Sequence, residues 1–167
     1  MILNVGDQTP KIHPSVFLAE GARVIGNVEI GAESSVWFNA VLRGDINAIR
    51  VGNKTNIQDL CVCHVTHKNE VQIGSHVTVG HGAIIHGAAV EDFCLIGMGA
   101  TLLDGVRVGS YSFVAAGALV REGFQIPEGK LVAGVPATVK RALTGGEREF
   151  IGRSADNYVK YVQLYRQ

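Results

Sequence analysis

Three histidines, His64, His81 and His86, carry the chemistry that this chain most plainly offers. Three neutral imidazoles are the ligand set of a catalytic zinc site that keeps its fourth position open. Water in that position ionises near neutral pH and can attack an electrophilic carbon. An isolated histidine is more often a plain surface or interface residue, so convergence decides the matter. Convergence depends on the elements that carry the three rings.

Those elements repeat. Counting in sixes gives Ile12, Leu18, Val24, Ile30, Val36 and Leu42. After a slip of three residues the series resumes at Val51, Ile57 and Cys63, and after a slip of four at Ile73, Val79 and Ile85. One step of five then leads to Val90, Ile96, Leu102, Val108, Val114 and Val120. Of these 18 anchors 17 are Ile, Leu or Val, which makes accidental spacing on an antiparallel sandwich a poor account. The residue four after an anchor is usually small or apolar, and glycine often follows the anchor, as in Val51-Gly52 and Ile73-Gly74.

A period of six suits a short strand and then a corner, and three such units make one triangular coil of a parallel β-solenoid. Anchors fill the interior, and stacked coils lie about 4.8 Å apart. The expected fold is thus an all-β solenoid of hexapeptide repeats over residues 1–138. A segment over 139–167 follows, carrying a C-terminal α-helix that packs on the solenoid within one domain. The slips at Asp45–Arg50 and His67–Val71 are polar and read as surface loops leaving the corners. From about Gly146 the apolar spacing becomes helical, with Phe150, Ile151, Ser154, Tyr158, Tyr161, Val162 and Tyr165 on one stripe.

The repeat also sets where the histidines point. Val51, Ile57 and Cys63 open faces one, two and three of one coil, and Ile73, Val79 and Ile85 those of the next. His64 and His86 each follow the anchor of face three, so they stack one coil apart and point outward. His81 stands two after Val79, on face two, around a corner from that pair. A second copy can complete the set if its face two abuts face three of the first. A heterologous contact of that kind closes into a ring when repeated three times, giving a homotrimer with metal sites between subunits. Arg43 falls in the His64/His86 column one coil earlier, and Asp59 in the His81 column one coil earlier. Across such an interface Arg43 would meet Asp59 of the neighbour and fix the docking register.

Composition narrows the field. The 167 residues suit one domain, with 47% hydrophobic and 18% charged residues. Lys+Arg and Asp+Glu are both 15, so no net charge draws the chain to nucleic acid or an anionic membrane. No apolar run is long enough to cross a membrane, and the first residues lack the pattern of a signal peptide, so a cytoplasmic location is expected. Cys61, Cys63 and Cys94 fall at inward positions and read as small core hydrophobes.

With these residues in hand, the chain resembles the γ-class carbonic anhydrases and their short bacterial relatives. The stretches that carry the likeness are Val36 to Asp45, Asn56 to Asp59, His64 to His67, Val79 to Gly87, Ile96 to Ala100 and Ala133 to Ala137. With the repeat and the tail helix they cover nearly the whole chain. The hexapeptide repeat is shared with acyltransferases, whereas the histidine set with Arg43, Asp45, Gln58 and Asp59 is specific. The resemblance implies a trimeric left-handed β-helix with Zn2+ held by His64 and His86 of one subunit and His81 of the next, Fe2+ or Co2+ replacing it in some members. It implies reversible hydration of CO2 to bicarbonate by metal-bound hydroxide. Gln58 would orient the water or bicarbonate, Asn56 would assist, and Arg43, Asp45 and Asp59 would serve the interface and support the ligands.

One departure stands out. The best-understood active members carry a glutamate directly after the aspartate of the Arg-x-Asp motif and a second on an acidic loop as proton shuttle. Here Ile46 follows Asp45, and Asn47–Arg50 holds no acid. His67 or Glu70 would have to move the proton instead. Three other functions stay open: a thioester or ester metallo-hydrolase on the same site, a hexapeptide-repeat acyltransferase, and a non-catalytic trimeric assembly subunit.

Overall fold

Most hexapeptides spend two or three residues in a strand and the rest in a turn, so no coil can bury its anchors alone. Stacking solves this. In the computed structural model, which describes residues 1–166, about seven such coils form a parallel β-solenoid closed by a single C-terminal helix. The registers place anchor on anchor along each face. Leu18, Val36, Ile57, Val79, Ile96, Val114 and Val132 stack along face two. Val24, Leu42, Cys63, Ile85, Leu102 and Val120 do so along face three. From Val24 onward every anchor is buried, whereas Ile12 and Leu18 in the first coil are only half covered.

Face two is an eight-stranded sheet, while faces one and three merge into one of twelve strands. They merge because the Arg23–Ile30 and Val41–Val51 strands run around the corner between them. This corrects the expectation that Asp45–Arg50 leaves the solenoid as a loop. Gly26 pairs with Gly44 and Val28 with Ile49, so two steps on one strand answer five on the other. The extra residues are absorbed as a bulge, because Ile49, Arg50 and Val51 keep partners on both neighbouring coils. The second slip is a loop as expected: the Thr66 amide donates to Asn69 O at 2.9 Å, between strands Val62–His64 and Val71–Ile73.

The tail helix, Gly145–Tyr165, opens on a capping box in which Thr144 and Glu147 satisfy each other's backbone amides. It lies across face two. Ile151, with Leu143, packs on Leu95, Phe113 and Leu131, and Tyr158 and Tyr165 set ring edges against Trp37 at 5.4 and 5.2 Å. The covered stripe is narrower than expected. Ile151, Ala155 and Val162 are buried, but Phe150 and Tyr161 face solvent. One residue is about 100° of helix, so these two swing off the buried line. All three cysteines are buried, and burial pushes the Cys61 thiol up to about 11 and the Cys94 thiol to about 12.

Candidate metal centre

The face-three register pairs Arg43 with His64 and His64 with His86, as the repeat requires. Stacking brings the two rings together, with His64 Nδ1 3.1 Å from His86 Nε2. The other nitrogen of each ring meets a carboxylate. His64 Nε2 lies 3.1 Å from Asp45 Oδ1, and His86 Nδ1 lies 2.5 Å from Asp104 Oδ1. Burial pushes the Asp45 carboxyl up, but hydrogen bonds from Arg43 and His64 outweigh it and hold the group below its ordinary range. Arg43 pairs with Asp45 of its own chain.

His81 sits at the turn between faces two and three, with its side chain 47% exposed. Its Nδ1 lies 2.6 Å from Asp59 Oδ2, while Asp59 Oδ1 accepts from the Phe38 amide at 3.1 Å. The His81 backbone amide donates to Gln58 Oε1 at 3.2 Å, and Gln58 Nε2 donates to Asn56 Oδ1 at 3.0 Å. Gln58 and Asn56 are buried, and Asn56 reaches in from face two, on the side that the tail helix covers.

One pattern joins the three imidazoles: an aspartate holds one ring nitrogen of each and leaves the other without a carboxylate partner. A carboxylate takes the ring N–H and fixes the tautomer, so the free nitrogen presents a lone pair. His64 Nδ1 and His86 Nε2 would then face each other as two acceptors 3.1 Å apart. That arrangement calls for a positive charge between them, and the residues present fit a divalent ion that binds imidazole nitrogen. Among the described residues, no group of three or more His, Cys, Asp or Glu in one chain converges to hold a metal. His81 stays around its corner.

Other expected residues fall elsewhere. His67 is exposed on the loop that follows His64. The Thr66 hydroxyl accepts from the Lys68 and Asn69 amides and turns the loop outward. A docking of face two itself is also corrected, because the tail helix lies on that face. A neighbour would have to meet the corner beside it, where Leu60 and Met98 are 64% and 58% exposed. Asp104 went unread in the sequence. It stands two after an anchor, as Asp59 does, but inside Leu103-Asp104-Gly105, which looks like any turn.

Comparison with known proteins places the fold first. A family model described as the hexapeptide repeat of succinyl-transferase matches residues 70–104 and 88–121. The crystal structure of a hexapeptide transferase family protein from Anaplasma phagocytophilum superposes with a TM-score of 0.96 at 36% identity, covering 99% of this chain and 98% of that one. The class is therefore a hexapeptide-repeat β-solenoid. Sequence relatives narrow it. Gamma carbonic anhydrase 2, mitochondrial, of Arabidopsis thaliana is 48% identical over 98% of this chain and 61% of its own. A probable carbonic anhydrase of Methanocaldococcus jannaschii is 47% identical over 89% of this chain and 94% of its own. The chain belongs to the γ-class carbonic anhydrase family, whose named members are lyases. It spans about three fifths of the length of the Arabidopsis relatives.

Proposed function

We propose that this protein is a metal-dependent carbonic anhydrase that hydrates CO2 reversibly to bicarbonate. Each site takes His64 and His86 from one subunit and His81 of the partner subunit, in a homotrimer. The observation that carries this is the set of three imidazoles, each held by an aspartate at one nitrogen, with the second nitrogens of His64 and His86 turned to each other at 3.1 Å. Such a donor set suits Zn2+, with Fe2+ or Co2+ as substitutes. When bound, the ion supplies Lewis acidity that makes water nucleophilic near neutral pH.

The protein's own groups do the rest. Asp45, Asp104 and Asp59 orient the rings. Gln58, buried and tied at both ends of its amide, keeps one N–H to steer the reacting oxygen, with Asn56 behind it. Arg43 sets the docking register against Asp59 of the partner subunit. His67, exposed on its loop, carries the proton away, since Ile46 offers no acid at its position. The three unpaired, buried cysteines suit a reducing compartment such as the cytoplasm.

The test is stopped-flow CO2 hydration on metal-loaded protein, with elemental analysis and light scattering on the same sample. A trimer with about one metal per chain and a rate that rises with imidazole buffer supports the proposal. A metal-free monomer of native fold, or a metal-loaded trimer without hydration, overturns it. The likeness to a hexapeptide transferase family protein favours one other reading, acyl transfer. That reaction needs no bound metal, so metal content separates the two.

A further inference from the structure

The tail helix does more than cover apolar surface, because one of its polar side chains ends a line of hydrogen bonds that starts at His81. A backbone N–H can only donate, so the Gln58 atom 3.2 Å from the His81 amide is the oxygen. Gln58 then turns its nitrogen to Asn56 Oδ1 at 3.0 Å. Asn56 in turn donates from Nδ2 to Thr78 Oγ1 at 3.0 Å. The Thr78 hydroxyl has a single proton, and it goes to Ser154 Oγ at 3.1 Å. All four donors point the same way, from His81 to the helix. Asn56, Gln58 and Thr78 are 1%, 5% and 4% exposed, so water cannot readily replace a lost partner.

We infer that Ser154 is a positioning residue for the His81 side of the proposed site: as the last acceptor of the His81–Gln58–Asn56–Thr78 chain, it steadies the amide orientations that the His81 N–H at one end and Val77 O at the other already favour. Without Ser154 the Thr78 proton has no acceptor there. The hydroxyl can then donate to Asn56 only if that amide flips, which costs Asn56 its bond to Val77 O at 3.4 Å and requires Gln58 to flip too. Gln58 would then turn its NH2 toward the His81 N–H, donor against donor, and the line would hold neither orientation well. That Gln58 serves a metal site rests on the proposed function, whereas the line of bonds stands on the geometry of this chain.

The experiment reads the Asn56 and Gln58 side-chain amides by NMR in 15N-labelled, metal-free protein. In Ser154→Ala both NH2 pairs should shift, and their hydrogen exchange should quicken roughly three- to tenfold, the factor that losing one ordinary hydrogen bond allows. Ser154→Thr, which keeps the hydroxyl, should restore the wild-type signals. Lys160→Ala, on the exposed face of the helix, should leave them unmoved. Wild-type shifts and exchange in Ser154→Ala would overturn the inference. Should that variant not fold, Thr78→Val removes the same link and is judged by the same two signals. Metal plays no part in this readout, so a wild type that binds no metal would defeat the proposed function and leave this inference to its own result.

Discussion

At the corner between faces one and two, Glu33, Lys54, His76, Phe93 and Tyr111 all take a left-handed backbone; between faces two and three the same conformation falls to Asn39, Leu60, Gly82, Gly99 and Gly117. The first corner bears side chains that cover one another. Lys54 pairs with Glu33 at 3.7 Å, the His76 ring stacks on Phe93 at 4.6 Å, and Phe93 stacks on Tyr111 at 4.9 Å. Arg148 of the tail helix caps the ladder, 5.5 Å from the Tyr111 ring centre. A bulky residue costs about 1–2 kcal/mol in the left-handed region, and aromatic stacking returns about 0.5–1.5 kcal/mol per pair. The second corner spends glycine where its neighbour spends rings. Gly82, at φ +68, has open space around it, and Leu60 and Met98 stand bare on either side of His81. One edge completes its own surface. The other leaves an imidazole and apolar side chains exposed.

The largest effect should follow from cutting the open edge. His81→Ala should lose metal as completely as His64→Ala, although the two lie on different faces of the chain. Elemental analysis of each purified variant checks this, and a His81→Ala protein with full metal would remove that corner from the site. Next comes the support behind the ligands. Asp104→Ala should weaken metal binding about 10- to 100-fold, because the carboxylate no longer holds His86 Nδ1–H. Competition against a chelator measures it, and unchanged affinity would leave Asp104 outside the site.

The closed edge should respond in stability alone. Phe93→Ala removes the middle ring of the ladder and should cost about 1–3 kcal/mol in denaturant unfolding, with metal content untouched. Loss of metal there would erase the contrast between the corners. The smallest effect concerns the helix start. Hydrogen bonds from Arg141 and the Thr144 backbone hold the Glu147 carboxyl down, to about 2 from an ordinary 4.5. A depressed carboxyl stabilises above its unfolded value and loses that contribution as pH falls through its folded one. Glu147→Gln should therefore melt slightly earlier at pH 7, and the gap should close between about pH 4.5 and 2. A gap that persists at the acid end would assign the effect to shape rather than charge.

The histidine columns could be read from the sequence because a fixed period turns residue number into direction. His64 and His86 are one coil apart by counting, and the register agrees. Counting fails where two structures consume the same residues. The insertion after Gly44 adds three residues whether it loops out or bulges within a strand, and only the pairing of Ile49 to Val51 tells which. Asn56 and Ser154 could be assigned to faces, but their shared line through Thr78 needs the helix laid on the solenoid. The Phe93 and Tyr111 stack was hidden for another reason: local preference puts Gly, Asn or Asp at left-handed positions, and ring stacking overrode it.

If one ion is shared by two subunits, mixing two defective chains should restore it. His81→Ala chains keep the His64/His86 pair, and His64→Ala chains keep His81, so neither homotrimer can hold metal. Unfolded together in equal amounts and refolded, they should recover about one site in four, since each junction of the ring needs one particular order of the two chains. Metal and CO2 hydration at about that fraction of wild type is the expected result. Mixed trimers, confirmed by a tag on one variant, that recover neither metal nor activity would contradict it.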